Sequence, residues 1–360
     1  MQELNGILTA TLLFDRSRSL QENVAVLVHE LFHAFQRKHH PEWQANEVEL
    51  LTYPEDDVEI LALRWLEFSA LGESLSQRNR DKAVSWARAL LETRKKRFSA
   101  MAPGAVDYER GIELVEGTAY YVEDLVAARN PDPLKALEKL CPGGVRAILC
   151  ESGRCIAFLL DRVCRGWKDR LERGIFSHLD EILAAETEDV PPAQLKPQSL
   201  RKARTWAERK REELFKARAL LLREYLERPG WTLEVEVLEP LWPAGFDPMN
   251  VVRLDERRVL HRRWLSLTGR TAKIECLGRE CLTEAFGDHP LFQDVRRLLI
   301  TGLEDEPSVD LVGSRVEIKA EGVQLRLKGV KIERIGRVIR IRPLMRRGED
   351  PGKKGEKELE

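Results

Sequence analysis

The stretch 24–37 constrains this chain more than any other. It holds His29-Glu30-Leu31-Phe32-His33, an H-E-x-x-H box, within the apolar series Val24, Val26, Leu27, Val28, Leu31, Phe32, Phe35. The spacing predicts a helix. On a helix, His29 and His33 leave the same face one turn apart. Two imidazoles so placed can reach one zinc ion at about 2.0–2.1 Å. Glu30 leaves the neighbouring flank, where a carboxylate can act on a zinc-activated water without being a ligand. An amphipathic core helix with two buried histidines would carry the same pattern, so a third ligand has to be found.

The start of that helix is marked by Ser19, with Glu22 three residues on, as a capping box; His39-His40-Pro41 ends it. Upstream, 6–14 (GILTATLLF) predicts a strand. Little chain precedes the motif, which raises the expectation that an N-terminal segment is missing from the sequence.

Two third ligands compete. His39 falls at the last position of H-E-x-x-H-x-x-G-x-x-H, but Gln36 holds the glycine position where that helix must break. On an unbroken helix His39 is turned about 600° from His33, off the ligand face. Glu116 lies on a separate predicted helix over 105–128. Gly117 beside it would let two helices approach closely around a metal. Tyr120, four residues on, shares its face and could hydrogen-bond a ligand or a developing oxyanion. Ile112, Val115, Ala119 and Val122 form an apolar stripe along one flank. Glu113 and Glu123 could substitute for Glu116. Glu59 and Glu67, on a predicted helix over 55–75, are more distant; Glu67, amid Trp65, Leu66, Phe68 and Leu71, needs a partner, and orienting a zinc-bound histidine is one possibility. His178, His261 and His289 receive no role.

Taken with H-E-x-x-H, the segment Glu116-Gly117-Thr118-Ala119-Tyr120-Tyr121 resembles the E-G-x-A-x-Y ligand helix of gluzincin-like zinc metallopeptidases (the peptidase MA-type superfamily). The resemblance covers the two motifs and the helices between them. It implies Zn²⁺ held by His29, His33 and Glu116, a zinc-activated water with Glu30 as general base, an oxyanion donor at Tyr120 or Tyr121, and a peptide or protein substrate. It also implies that strand 6–14 is an edge against which extended substrate pairs.

With 360 residues the chain exceeds one typical core. We expect an α+β protein. A mainly helical, zincin-like domain with a short edge strand fills 1–190, a long charged helix or linker 191–229, a β-rich domain 230–345, and a disordered tail 346–360. The change of composition falls at Pro229-Gly230, after which period-2 stretches alternate with turns such as Glu321-Gly322 and Lys328-Gly329. Net charge is -1, which speaks against a polyanion partner for the whole chain. One helix, 199–228, carries ten Lys/Arg against five Asp/Glu; it reads as a solvated face on a packed helix, with an acidic partner or nucleic acid as the sharper reading. No apolar run is long enough for a membrane span, and the N-terminus lacks a basic signal-peptide start, so the expected compartment is the cytoplasm. Six cysteines without C-x-x-C spacing read as buried thiols. The alternative to an enzyme is a non-catalytic metal-containing binding or regulatory protein whose β domain recognises a partner. The sequence leaves substrate specificity and oligomeric state open.

Overall fold

The computed structural model describes residues 2–138, 140–142, 144–313 and 315–344. The expected tail 346–360 lies outside the described residues. The architecture is α+β, with helices in the first part of the chain and a large sheet in the second. The chain divides into two compact units, Met1–Arg218 and Ala219–Glu360.

The first unit opens with a hairpin, β1 (Gln2–Leu4) and β2 (Ile7–Thr9), paired antiparallel. Helix α1 (Leu20–His39) carries the motif. A 3-10 turn (Glu47–Leu51) leads to α2 (Val58–Ser76), α3 (Arg80–Ser99) and α4 (Pro103–Ile112). A π turn (Glu113–Gly117) joins α4 to α5 (Thr118–Ala127) without a break. Beyond it lie α6 (Pro133–Glu138), α7 (Val145–Val163), α8 (Trp167–Glu172), α9 (Leu179–Thr187) and α10 (Pro197–Leu226). The expected strand 6–14 is corrected: only Ile7–Thr9 is strand, and its partner is the short strand before it. Asn5 and Gly6, both at positive φ, make the two-residue turn.

Local chemistry sets the ends of α1. The Ser19 hydroxyl accepts from the Glu22 amide, and the Glu22 carboxylate accepts from the Ser19 amide at 2.8 Å. Its apolar face differs from a core helix, since Leu20, Val24 and Leu31 are exposed. The core of the unit forms around α7, where Cys155, Ile156, Leu159, Leu160 and Val163 pack with Leu71, Leu90, Leu114 and Trp167.

A charged layer is buried beside that core. Arg94 and Arg97 of α3 reach Glu67 of α2; Arg97 and Arg64 reach Glu109 of α4; Arg94 also bonds Glu113. Asp180 and Arg110 extend it. Burial alone would raise the Glu109 carboxyl, but the Arg64 and Arg97 guanidinium groups hold it well below the usual range.

In the second unit, β3 (Trp231–Phe246) is long enough to serve two sheet regions. Its first half pairs with β9 (Val295–Leu303), and its second half with β6 (Trp264–Thr268) across a bulge at Pro243–Gly245. On one side the sheet runs through β9, β8 (Cys281–Ala285), β5 (Arg258–His261) and β4 (Val251–Arg253). On the other it runs through β6, β7 (Ala272–Leu277), β12 (Val323–Lys328), β11 (Arg315–Ala320) and β10 (Ser308–Val312). The hairpin β13 (Val330–Ile335) and β14 (Val338–Pro343) joins β3 through a parallel pairing. Alternation puts Leu233, Val235 and Val237 of β3, and Val323, Leu325 and Leu327 of β12, on the buried face. Among the described residues no helix is long and apolar enough to cross a membrane.

Candidate metal centre

His29 and His33 leave one face of α1, as their spacing requires. Glu116 comes from the π turn. One ligand atom from each lies within 4.8 Å of the other two, so the three residues form a cluster that could hold a metal ion. The closest pair is His29 Nε2 and His33 Nε2, 3.0 Å apart. His33 Nε2 is 3.5 Å from Glu116 Oε2. His29 is buried, and the side chains of His33 and Glu116 are about one-sixth exposed, at 16% and 18%.

Each ligand has a neighbour that orients it. Behind His29, Nδ1 is 3.2 Å from Glu123 Oε2 of α5. The carboxylate lies off the N–H direction, so the two groups are close without an aligned hydrogen bond. Glu123 is fixed in turn by Arg129. Behind His33, Nδ1 is 2.8 Å from Gln36 Oε1. Behind Glu116, Arg146 of α7 donates Nη2–H to Oε1 at 3.0 Å, and its Nε–H to Glu47 Oε1 at 3.0 Å. Glu47 also accepts from Tyr108.

These contacts set the charges. Burial would raise the Glu116 carboxyl, but the hydrogen bond from His33 and the Arg146 guanidinium lower it to about 2. Burial would lower the His33 imidazolium, and Glu116 outweighs it, so the net direction is upward. Glu30, half-buried at the next position after His29, adds to that rise through its charge. Tyr120 packs its ring edge-on against His29, centroids 4.7 Å apart. Burial pushes its phenol up to about 12, so it is a donor at neutral pH.

The other expected candidates lie elsewhere. His39 is exposed and packs on Phe35. Glu59 is exposed at the start of α2. Glu67 belongs to the buried arginine layer and orients no histidine. Glu113 is held by Arg94 and Ser152, and Glu123 backs His29 instead of joining the ligands. Tyr121 points into the core, where its hydroxyl donates to Asp161 at 2.5 Å. Gly117 does allow close packing, but against α7 and not α1: a Cβ there would meet Gly153 Cα at 2.6 Å. Of the cysteines, Cys141 is exposed and the other five are buried.

Arg146 and Glu47 escape a reading of the sequence. Arg146 lies thirty residues from Glu116 on a helix whose start carries no side-chain cap, so no local signal points to it. No protein family, curated protein or solved structure matches the chain.

Proposed function

We propose that the chain is a zinc-dependent hydrolase acting on peptide bonds, of the gluzincin type that its two motifs resemble. The observation that carries this reading is the convergence of two imidazole nitrogens and one carboxylate from separate helical segments. Donor atoms 3.0 and 3.5 Å apart lie near the edge length of a tetrahedron with bonds of about 2.0–2.1 Å, and the third pair lies within 4.8 Å. Two imidazole nitrogens and one carboxylate oxygen are also the protein donor set of hydrolytic zinc sites. His29, His33 and Glu116 would hold the ion, which supplies Lewis-acid charge when bound.

The chain's own groups supply the rest. The Glu30 carboxylate takes a proton from the attacking water and delivers it to the leaving amine. The Tyr120 hydroxyl donates to the developing oxyanion. Arg146 engages one oxygen of Glu116 and leaves the other facing the histidines. All six cysteines are unpaired, which suits a reducing compartment, and we assign the protein to the cytoplasm.

The test is Glu30→Gln, assayed on a fluorogenic peptide library with zinc content measured alongside. The expected result is a loss of about 10²- to 10⁴-fold in turnover with zinc retained. Undiminished hydrolysis by the variant overturns the assignment of Glu30.

A further inference from the structure

We infer that Gln36 is the positioning residue that joins the two halves of the metal site: it fixes the tautomer of His33 and holds the π turn that presents Glu116. The inference rests on reading His29, His33 and Glu116 as metal ligands.

Gln36 is 3% exposed, one helical turn past His33. Its amide has one acceptor oxygen and two N–H donors. The Nε2 end lies 2.9 Å from the Val115 carbonyl and 3.0 Å from Thr118 Oγ1. The carbonyl can only accept. The Thr118 hydroxyl gives its proton to the Leu114 carbonyl, so it too faces Gln36 as an acceptor. Both amide hydrogens are thereby assigned, and the orientation of the amide follows from its partners. Oε1 therefore faces His33 Nδ1, which must carry the hydrogen. In the imidazolium Nε2–H faces Glu116; when that proton leaves, the Nδ1–H held by Gln36 stays and the lone pair falls on Nε2, the atom that faces His29 and Glu116. A hydroxyl or an aliphatic side chain at position 36 would not impose that tautomer.

The same amide grips the other ligand. Val115 and Thr118 flank Glu116 in the chain, and the Val115 carbonyl belongs to the π turn. A π turn inserts one residue into an α-helix and rotates the turns beyond it. Glu113 is tied to Arg94 and Ser152 at the start of the turn. Gln36 ties its middle to α1, the helix that carries the histidines. Histidine orientation and carboxylate presentation thus depend on one side chain.

The test uses the full chain. Histidine ring tautomers are read by ¹⁵N NMR in metal-free protein over a pH series carried past the point at which His33 itself becomes neutral, which Glu116 raises above the ordinary histidine value. Zinc affinity is read by competition with a chromophoric chelator. We expect Nδ1–H at His33 in the wild type. Gln36→Leu should lose that preference and bind zinc about 10- to 100-fold more weakly. Gln36→Glu keeps an acceptor for Nδ1–H but cannot donate to Val115 or Thr118. It should therefore keep the tautomer while still binding zinc weakly, a split that general destabilisation would not produce. Unchanged zinc affinity in folded Gln36→Leu, or an unchanged His33 tautomer, overturns the inference. A wild type that binds no zinc overturns the metal reading instead, and the tautomer comparison then decides the role of Gln36. If Gln36→Leu does not fold, Gln36→Glu carries the comparison, with loss of the Nδ1–H tautomer as the contrary result.

Discussion

His33 and Glu116 face each other at 3.5 Å with opposite pKa displacements, and this pair governs how the metal-free site responds to pH. His33 is raised above its ordinary 6.5, so its contribution to stability is full below that value and fades as pH rises through the folded pKa. Glu116 is lowered from 4.5 to about 2, so its contribution is full above 4.5 and fades as pH falls toward 2. The difference in thermal midpoint between metal-free wild type and Glu116→Gln should thus be widest between pH 4.5 and 6.5. A difference that stays constant up to alkaline pH would contradict the pairing. The three residues of the cluster are legible in the sequence, because i, i+4 histidines on an apolar helix and a downstream E-G-x-A-x-Y segment leave a local trace. Their supports are not. Gln36 reads as a missing glycine, whereas in the structure it backs His33. Glu123 reads as a spare ligand, whereas it backs His29. Which of several nearby carboxylates faces the histidines depends on the rotation introduced by the π turn, and sequence periodicity assumes an unbroken α-helix.

At the level of elements, the close approach of the π turn to α7 is the most exacting contact. A Cβ on Gly153 would lie 2.2 Å from the Glu113 carbonyl oxygen, and backbone cannot swing aside as a side chain can. Gly153→Ala should cost about 2–3 kcal/mol in urea denaturation and weaken metal binding by displacing Glu116. Gly72, within α2, has open space where a methyl group would sit, with nothing within 4 Å. Gly72→Ala should therefore stabilise by about 0.5–1 kcal/mol, and a loss there would undercut the packing argument. Element boundaries track the strength of local signals. The capping box fixes the start of α1, and the alternation in β6, β11 and β12 marks those strands. The β-rich composition of 6–14 predicts one strand there, but the Asn5-Gly6 turn folds its first residues back on Gln2–Leu4 instead. Helix α7 ends at Val163 and α8 starts at Trp167, with Gly166 at a positive φ between them. Strand β9 leaves little trace in the sequence because Arg296 and Arg297 interrupt its pattern, while it pairs with strands on both sides.

Across the whole molecule, two units carry separate burdens. The helical unit buries Arg64, Arg94 and Arg97 against Glu67, Glu109 and Glu113. Removing one partner leaves a charge without compensation, so Arg97→Met should cost about 3–5 kcal/mol, read as a lower thermal midpoint of the metal-free protein. That layer is invisible in the sequence, where Glu67 is one acidic residue in an apolar helix and its arginine partners lie about thirty residues on. The α+β division is legible, because a helical period gives way to a period of two after Pro229-Gly230. The candidate metal cluster lies in the helical unit, since all three of its residues precede residue 218. The most direct measurement is the metal content of the full chain purified without chelator, comparing wild type with Glu116→Ala and His39→Ala. We expect about one zinc per chain in the wild type and in His39→Ala, and loss of zinc in Glu116→Ala. Zinc absent from the wild type, or retained by Glu116→Ala and lost from His39→Ala, would contradict it.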